Sequence, residues 1–338
     1  MQRCLELAVK GLGNVAPNPM VGCVIVCDGE IVAEGYHEFY GGPHAEPNAI
    51  KQVSDAILKK STLYVTLEPC SHHGKTPPCA DLIINKGVKK VVIGNLDSNP
   101  LVSGRGIQKL KEAGIEVEYR VLDKECKELN KRFFTFHEKK RPYIILKWAQ
   151  TQDGFISRIP LPNNKEDNWI TGKESKDLVH QWRGEESAIL IGYNTALVDN
   201  PLLTTRLVEG KNPVRLIIDK NLDLPHNLNI FNNDAKTIVF NSIKSSDDDN
   251  IRYVRIDFQN MIQEILNECY VLNISSVIIE GGTKTINEFI QKNTWDEARL
   301  FVNSNKVFKQ GIAAPVISFN QSAPTQIGDD LLYTITNL

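Results

Sequence analysis

Short apolar runs alternate with amphipathic stretches of helical length along the first 140 residues. The apolar runs at 22–26, 31–35, 63–67, 90–93 and 115–120 have the length and the composition typical of strands. The stretches 5–11, 79–86, 106–113 and 124–137, and one that begins at residue 44, repeat apolar residues every three or four positions, which predicts helices. Strands that alternate with helices predict an α/β layered domain with a central sheet.

The second half of the chain repeats the strand signal with a different spacing. Apolar runs at 143–149, 188–191, 214–218, 237–240 and 277–279 predict a second sheet, and 284–290 predicts a helix. The charged segment 138–142 ends in a proline between the two periodic regions, which is typical of a linker, although a charge run is usually only a solvated face. A length of 338 residues also favours two domains, and we place them at 1–140 and 141–338.

Composition narrows the classes of function. The formal net charge is −2 and the pI about 6.4, so the chain has no overall basic field with which to hold a nucleic acid. No stretch has the character of a signal peptide, and no run approaches the ~18 apolar residues of a membrane span. Seven cysteines, an odd number, do not indicate a disulfide framework. We therefore expect a cytoplasmic enzyme with no nucleic-acid or membrane partner, and we expect it to be a homo-oligomer.

Four residues of the first half could form a hydrolytic zinc site. His44, Cys70 and Cys79 offer the nitrogen and sulfur ligands that zinc prefers, and three protein ligands leave a fourth position for water. Glu46 follows the pattern His-x-Glu, in which the carboxylate is not a ligand but carries protons during deamination. The general signature has two residues between its cysteines, whereas eight lie between Cys70 and Cys79 here. Cys79 can still bind the ion if it opens a helix directly after two prolines, although either half of this pattern alone is usually incidental.

Three motifs in this half resemble the deaminase part of the bifunctional riboflavin biosynthesis family. They are 18–22 (Asn-Pro-Met-Val-Gly), 43–46 (Pro-His-Ala-Glu) and 66–79, which contains Glu-Pro-Cys and the expanded loop to Cys79. The expanded loop is a mark of that family and accounts for the eight-residue gap. Within the loop, His72, His73 and Lys75 could contact a substrate phosphate or could simply be exposed to solvent.

The second half contains neither of the standard nucleotide-binding fingerprints. The segment Glu280-Gly281-Gly282-Thr283 lies between a predicted strand and a predicted helix. Exposed backbone N–H groups at the start of the helix could hold a phosphate there. Two glycines between a strand and a helix are more commonly only a turn. Asp153-Gly154, 169–171 (Trp-Ile-Thr), Arg183 and 199–206 precede this segment in order. Together these motifs resemble the reductase part of the same family, which is similar in fold to dihydrofolate reductase and uses NADPH.

The resemblance implies roles for particular residues of this chain. It assigns cofactor contacts to Ala149, Trp169, Thr195, Asp199, Lys220, Gly282 and Thr283. It assigns substrate contacts to Asp167, Arg183, Leu203, Arg206 and Glu280, with Asp167 at a place where relatives are expected to carry a small hydroxyl residue. The two arginines suit a phosphorylated substrate, because a guanidinium holds a phosphate in a fixed fork. Either of them alone would more often form a surface ion pair.

The implied chemistry is a pair of consecutive reactions that use zinc and NADPH. The first unit would hydrolyse an amine of 2,5-diamino-6-ribosylamino-4(3H)-pyrimidinone 5′-phosphate, and the second would reduce the ribosyl group to ribityl. Three alternatives stay open at this point. The chain could be a nucleic-acid or free-cytidine deaminase, a protein with a purely structural zinc site, or a dihydrofolate reductase-like enzyme whose first half is only a scaffold.

Overall fold

The computed structural model describes residues 1–71, 77–98, 103–317 and 323–337. The chain divides into two units, Met1–Lys140 and Arg141–Leu338, and each has a sheet and an apolar core of its own. Strands and helices mix along both units, which confirms the predicted α/β class. Within the described ranges, no helix combines the length and apolar character needed to cross a bilayer.

The first unit contains a five-stranded sheet in the order β2-β1-β3-β4-β5. Its strands are β1 (Gly22–Cys27), β2 (Glu30–Tyr36), β3 (Thr62–Leu67), β4 (Lys90–Asn95) and β5 (Glu116–Tyr119). Its helices are α1 (Gln2–Val9), α2 (Ala45–Ile50), α3 (Asp55–Leu58), α4 (Cys79–Lys86), α5 (Arg105–Glu112), α6 (Asp123–Leu129) and α7 (Lys131–Lys139). β1 is antiparallel to β2 and β3, whereas β3, β4 and β5 are parallel. The strands lie within two residues of their predicted bounds.

The prediction of one helix at 124–137 is wrong, because the segment forms two helices that meet at Asn130. The Asn130 side chain accepts a hydrogen bond from the Met20 N–H and donates one to the Met20 carbonyl, both at 2.8 Å. Asn130 has a non-helical backbone with φ −103° and ψ 25°. The break therefore places a buried side-chain amide against a distant loop, a contact that helical periodicity does not reveal.

The second unit contains a ten-stranded sheet in the order β11-β12-β10-β9-β8-β13-β6-β14-β17-β16, and a separate pair of β15 with β7. Its strands are β6 (Tyr143–Thr151), β7 (Phe155–Arg158), β8 (Ala188–Gly192), β9 (Val214–Ile218), β10 (Thr237–Asn241), β11 (Ser246–Asp248), β12 (Ile251–Arg255), β13 (Ser276–Ile279), β14 (Glu297–Asn303), β15 (Gly311–Ala313), β16 (Thr325–Ile327) and β17 (Asp330–Thr336). Its α-helices are α8 (Lys173–Glu185), α9 (Tyr193–Asp199), α10 (Met261–Val271) and α11 (Thr283–Gln291), with 3-10 turns at Lys165–Asn168 and Asn229–Phe231.

Both faces of the large sheet are buried, which follows from the apolar runs seen in its strands. Ile144 and Leu146 of β6 enter one core cluster, while Ile145 between them enters the other. The seven strands from β12 to β14 in the sheet order are parallel to one another. Parallel strands bring their carboxyl ends to one edge of the sheet, where ligands bind in open α/β folds.

Candidate active sites

The first unit brings His44, Cys70 and Cys79 together at the ends of three elements. His44 is the N-cap of α2, Cys70 follows β3, and Cys79 is the first residue of α4. One ligand atom from each lies within 4.8 Å of the others. The His44 Nδ1 atom is 3.7 Å from the Cys70 Sγ atom and 3.4 Å from the Cys79 Sγ atom.

These distances fit a zinc ion. Tetrahedral zinc with bonds of about 2.0 Å to nitrogen and about 2.3 Å to sulfur separates the two ligand atoms by roughly 3.6 Å. The two measured separations lie on either side of that value. Two thiolates and a neutral imidazole also match the charge of the ion, and three protein ligands are the number found in catalytic rather than structural zinc sites.

Cys70 lies in surroundings that favour a thiolate. A hydrogen bond with the Cys79 side chain is the main reason that the pKa of Cys70 falls to about 4, and contacts with His44 act in the same direction. The Cys79 backbone N–H also donates to the Cys70 Sγ atom at 3.3 Å. The same hydrogen bond with Cys70, together with burial, raises the pKa of Cys79, so the pair shares one proton between its sulfurs.

Glu46 lies in the first turn of α2, beside the ligands, and its side chain is buried. Burial raises its pKa, although the charge of His44 opposes this effect. A carboxylate that is protonated more readily than usual is suited to accept a proton and to deliver it again. Glu46 therefore occupies the place and has the acidity that the proton carrier of a hydrolytic site needs.

His37 is a buried neighbour of this site that the sequence analysis missed. Its Nδ1–H donates to the Pro43 carbonyl at 2.9 Å, and its Nε2 accepts a hydrogen bond from the Asn18 amide at 3.1 Å. The His37 and His44 rings meet edge to face with their centroids 5.4 Å apart. His37 thus fixes the loop that leads to His44, but no spacing in the sequence marks it.

Glu68 anchors the loop that carries Cys70. Its carboxylate is buried and accepts hydrogen bonds from four backbone N–H groups, those of Asp97, Gly104, Gly106 and Ile107, at 2.9–3.3 Å. Two of these groups belong to the first turn of α5, where a carboxylate also meets the positive end of the helix dipole. Gly106 lies so close to this loop that a Cβ atom there would be 2.1 Å from the Pro69 carbonyl oxygen. His72, His73 and Lys75 lie outside the described residues.

The second unit has a groove of about 1890 Å³ along the carboxyl ends of its parallel strands. Its lining includes all seven residues predicted to contact the cofactor, which are Ala149, Trp169, Thr195, Asp199, Lys220, Gly282 and Thr283. Two of the predicted substrate residues, Arg206 and Glu280, also line it. Asp167, Arg183 and Leu203 are not in the lining; Asp167 lies in a 3-10 turn, and Leu203 is buried in the core.

Glu280 is the centre of an ion-pair cluster at the base of the groove. One carboxylate oxygen is 2.7 Å from the Lys147 Nζ atom, and the other is 2.8 Å from an Arg183 nitrogen. Although burial acts to raise the pKa of Glu280, these two cations lower it to about 2. Arg183 is itself buried and thus supports Glu280 from within the protein rather than offering an open fork.

Of the two arginines predicted to contact the substrate, Arg206 is the one that lines the groove. Its backbone N–H donates to the His180 Nδ1 atom at 3.2 Å, so this nitrogen carries no proton. Burial, and then the charges of Arg183 and Arg206, lower the pKa of His180 to about 4. A neutral imidazole and two arginines leave this end of the groove positive, which suits a phosphate.

The two glycines after β13 begin α11 and face the groove. Gly282 is the N-cap of the helix, and its N–H donates to the Thr195 hydroxyl at 3.0 Å. The Thr283 hydroxyl donates to the Ala313 carbonyl at 2.6 Å. The turn therefore sits at the start of a helix and at the wall of a groove, where the helix dipole favours an anion.

Arg215 supports the loop from Asn200 to Arg206 and was also missed. It is fully buried on β9, and its guanidinium donates to the backbone carbonyls of Leu202, Ile230, Asn232 and Ala235 and to the Asn232 side chain. A single arginine thereby joins the loop beside the groove to a second, distant loop. Its neighbours in the strand are apolar, so no sequence pattern marks this arginine.

Comparison with known protein families yields one match in each half. Residues 1–95 match the family described as cytidine and deoxycytidylate deaminase zinc-binding region. Residues 142–307 match the family described as RibD C-terminal domain. The first match contains His44, Glu46, Cys70 and Cys79, and the second contains every residue that lines the groove except Ile312.

Relatives from other organisms align with most of the chain. The chain is 41% identical over 319 residues to the riboflavin biosynthesis protein RibD of Aquifex aeolicus, covering 93% of this chain and 88% of the relative. It is 43% identical over 298 residues to RibD of Actinobacillus pleuropneumoniae, covering 84% and 77%.

Solved structures agree with these relatives. A diaminohydroxyphosphoribosylaminopyrimidine deaminase/5-amino-6-(5-phosphoribosylamino)uracil reductase from Thermotoga maritima matches with a TM-score of 0.90 and 40% identity, covering 100% of this chain and 97% of that one. Acinetobacter baumannii RibD matches with a TM-score of 0.88 and 31% identity, covering 99% and 97%.

Proposed function

Because this chain belongs to the RibD family of riboflavin biosynthesis proteins, we propose that units 1–140 and 141–338 carry its two reactions in that order. The chain is a bifunctional enzyme, a zinc-dependent deaminase and an NADPH-dependent reductase. Its substrate is then the diaminopyrimidine phosphate named for the Thermotoga relative, which loses an amine before its ribosyl group is reduced to ribityl. The cluster of His44, Cys70 and Cys79 beside buried Glu46 is the observation that carries the first assignment.

In the deaminase, the proposed ligands are His44, Cys70 and Cys79, and Glu46 moves the protons. Zinc, when bound, supplies a water molecule of lowered pKa. Glu46 accepts a proton as the water oxygen adds to the ring carbon that bears the amine. It delivers this proton to the ring nitrogen, then takes the proton of the newly added hydroxyl group and passes it to the departing amine, so that ammonia leaves rather than an amide ion. Its raised pKa suits both steps.

In the reductase, the groove holds the cofactor along the wall predicted for it. NADPH supplies the hydride when bound. Trp169, Thr195, Asp199, Gly282 and Thr283 are proposed to contact it, together with Ala149 and Lys220. These residues include the helix start whose dipole favours a phosphate.

We propose that Arg206 binds the substrate phosphate and that Glu280 lies beside the sugar. Arg206 lines the groove, and the neutral His180 holds its backbone in place. Arg183 keeps Glu280 ionised through a 2.8 Å ion pair, and Leu203 and Asp167 are the other proposed substrate contacts.

A two-step assay on matched variants tests the assignment. Wild type, Glu46→Gln and Cys79→Ser are compared for zinc content, for ammonia release, and for NADPH oxidation on substrate that has already been deaminated. We expect Cys79→Ser to lose zinc and ammonia release, and Glu46→Gln to keep zinc and lose only ammonia release. Both variants should retain the reductase step.

Each alternative gives a different result. A structural zinc site would leave Glu46→Gln fully active. A deaminase of nucleic acids or of free cytidine would oxidise no NADPH on the pyrimidine substrate, and a scaffold first unit would release no ammonia from the intact chain.

The homo-oligomeric state and the cytoplasmic location belong to the same proposal. Both come from the sequence expectations, and light scattering of the purified enzyme and fractionation of cells that express it test them.

A further inference from the structure

Asp330 lies beyond the segment matched by the reductase family model, which ends at residue 307, yet it is fully buried beside a wall of the groove. One of its carboxylate oxygens accepts hydrogen bonds from the Gly172 N–H at 2.9 Å and the Ser175 hydroxyl at 2.6 Å. The other accepts one from the Asn303 amide at 2.7 Å. These three donors are neutral groups, and two of them belong to the start of α8.

Through Gly172 and Ser175, Asp330 of β17 caps the start of α8. Gly172 is the N-cap of α8, a helix of 13 residues, and Ser175 lies in its first turn. A carboxylate at this end satisfies N–H groups that have no partner in the helix and meets the positive end of its dipole. Asp330, the first residue of β17, thus fixes where α8 begins.

The hydrogen bond between Asp330 and Asn303 connects Asp330 to the wall of the groove. The Asn303 amide donates both to Asp330 and, at 3.0 Å, to the Ile170 carbonyl. Ile170 and its neighbour Trp169 both line the groove, and the Trp169 side chain is half exposed. The Lys176 Nζ atom of α8 lies 3.1 Å from the centre of the Trp169 ring. Asp330 therefore holds α8, which carries Lys176 over the Trp169 ring. It also holds Asn303, which binds the backbone next to Trp169.

We infer that Asp330 is a positioning residue that orients Trp169 for the cofactor. This inference rests on the proposed contact between Trp169 and NADPH. Replacing one carboxylate oxygen by an amide in Asp330→Asn places a donor against the Asn303 amide or against the Gly172 N–H. In either arrangement two donors face each other, so residue 330 loses one of its hydrogen bonds. The wall that carries Trp169 then loses its fixed position.

The test compares Asp330→Asn with Asp296→Asn in the full-length enzyme. Asp296 is also a buried aspartate of this unit, but it pairs with Arg141 at the other end of the sheet and does not line the groove. We expect Asp330→Asn to raise the KM for NADPH about ten-fold, because small misplacements of a binding group weaken it strongly. Asp296→Asn should reduce thermal stability and leave that KM unchanged.

A spectroscopic measurement separates positioning from simple loss of stability. The fluorescence of Trp169, obtained as the difference from Trp169→Phe, should become more accessible to acrylamide in Asp330→Asn and not in Asp296→Asn. If Asp330→Asn does not fold, Asn303→Ala removes the hydrogen bonds of Asn303 with Ile170, Asp330 and the Asn305 N–H, but it leaves the contacts of Asp330 with the start of α8, and it should give the same two changes.

The outcomes separate the positioning role of Asp330 from the proposed contact between Trp169 and NADPH. If Trp169→Ala raises the KM for NADPH while Asp330→Asn and Asn303→Ala behave like Asp296→Asn, the cofactor site stands and the positioning role is wrong. If Trp169→Ala itself leaves the KM unchanged, the proposed cofactor contact is wrong and the role of Asp330 falls with it.

Discussion

Gly106 offers a sharp test of how the zinc-ligand loop is held in place. In Gly106→Ala, the new Cβ atom would lie 2.1 Å from the Pro69 carbonyl oxygen, whereas real contacts of this kind do not come below 3.0 Å. The loop and α5 must therefore separate by at least about 0.9 Å. Pro69 directly precedes Cys70, and zinc ligands tolerate errors of only about 0.2 Å in their distances.

The cost can be worked out from the contacts that would change. Forcing an extra methyl group into a packed site costs about 1 to 3 kcal/mol. The same movement pulls the N–H groups of Gly106 and Ile107 away from the Glu68 carboxylate, and each hydrogen bond to a charged group contributes about 1.5 to 3 kcal/mol. Taken at their lower ends, these contributions lead us to expect that Gly106→Ala destabilises the deaminase unit by about 4 kcal/mol and lowers its zinc content.

Gly114→Ala is the matched control at the other end of α5. Gly114 has a positive φ of 78°, but a Cβ atom there meets nothing within 4 Å, so only the backbone strain of about 1 to 2 kcal/mol applies. Ammonia release and NADPH oxidation are followed across a urea titration, together with zinc analysis. If the two variants shift the midpoint for ammonia release equally, or if Gly106→Ala keeps its zinc, the reasoning from this contact is wrong.

Three further predictions concern the metal, a buried charge and pH. A zinc chelator should abolish ammonia release and leave NADPH oxidation on deaminated substrate intact; parallel loss of both would contradict separate sites. Arg215→Met should destabilise the reductase unit by about 3 to 5 kcal/mol, because it removes the hydrogen bonds with which the buried guanidinium joins two loops, and a urea midpoint equal to that of wild type would exclude this. Because the pKa of Glu280 is about 2 when folded and near 4.5 when unfolded, its contribution of about 3 kcal/mol is present above pH 4.5 and is lost as the pH falls toward 2. Acid titration of Glu280→Gln should lack this part of the stability loss.

The sequence was informative where chemistry and periodicity are local. Apolar runs located the strands of the first sheet and five strands of the second, which are β6, β8, β9, β10 and β13. His44, Glu46, Cys70 and Cys79 could be singled out because zinc chemistry restricts the residue types as well as their spacing. The same reasoning placed Cys79 at the start of a helix, where the structure has it.

Sequence reasoning failed where distant polar residues meet inside the protein. β14 was missed because Glu297 and Arg299 interrupt its apolar pattern, and only the structure shows that they are buried and paired at 2.6 Å. Glu68 and Asp330 each cap a helix from a different element, so neither has the local pattern of a cap. The ion pair between Arg183 and Glu280 spans 97 residues, so it cannot be seen in a motif.

The surroundings of Arg215 have a consequence for how this protein can diverge. Four of the groups that accept its hydrogen bonds are main-chain carbonyls, which every amino acid supplies. Mutations in the turn around 230–235 can therefore accumulate without disturbing the guanidinium, provided that the path of the backbone is kept. Arg215 itself has no such freedom, so drift among homologues should be wide in the turn and narrow at the single side chain that the turn surrounds.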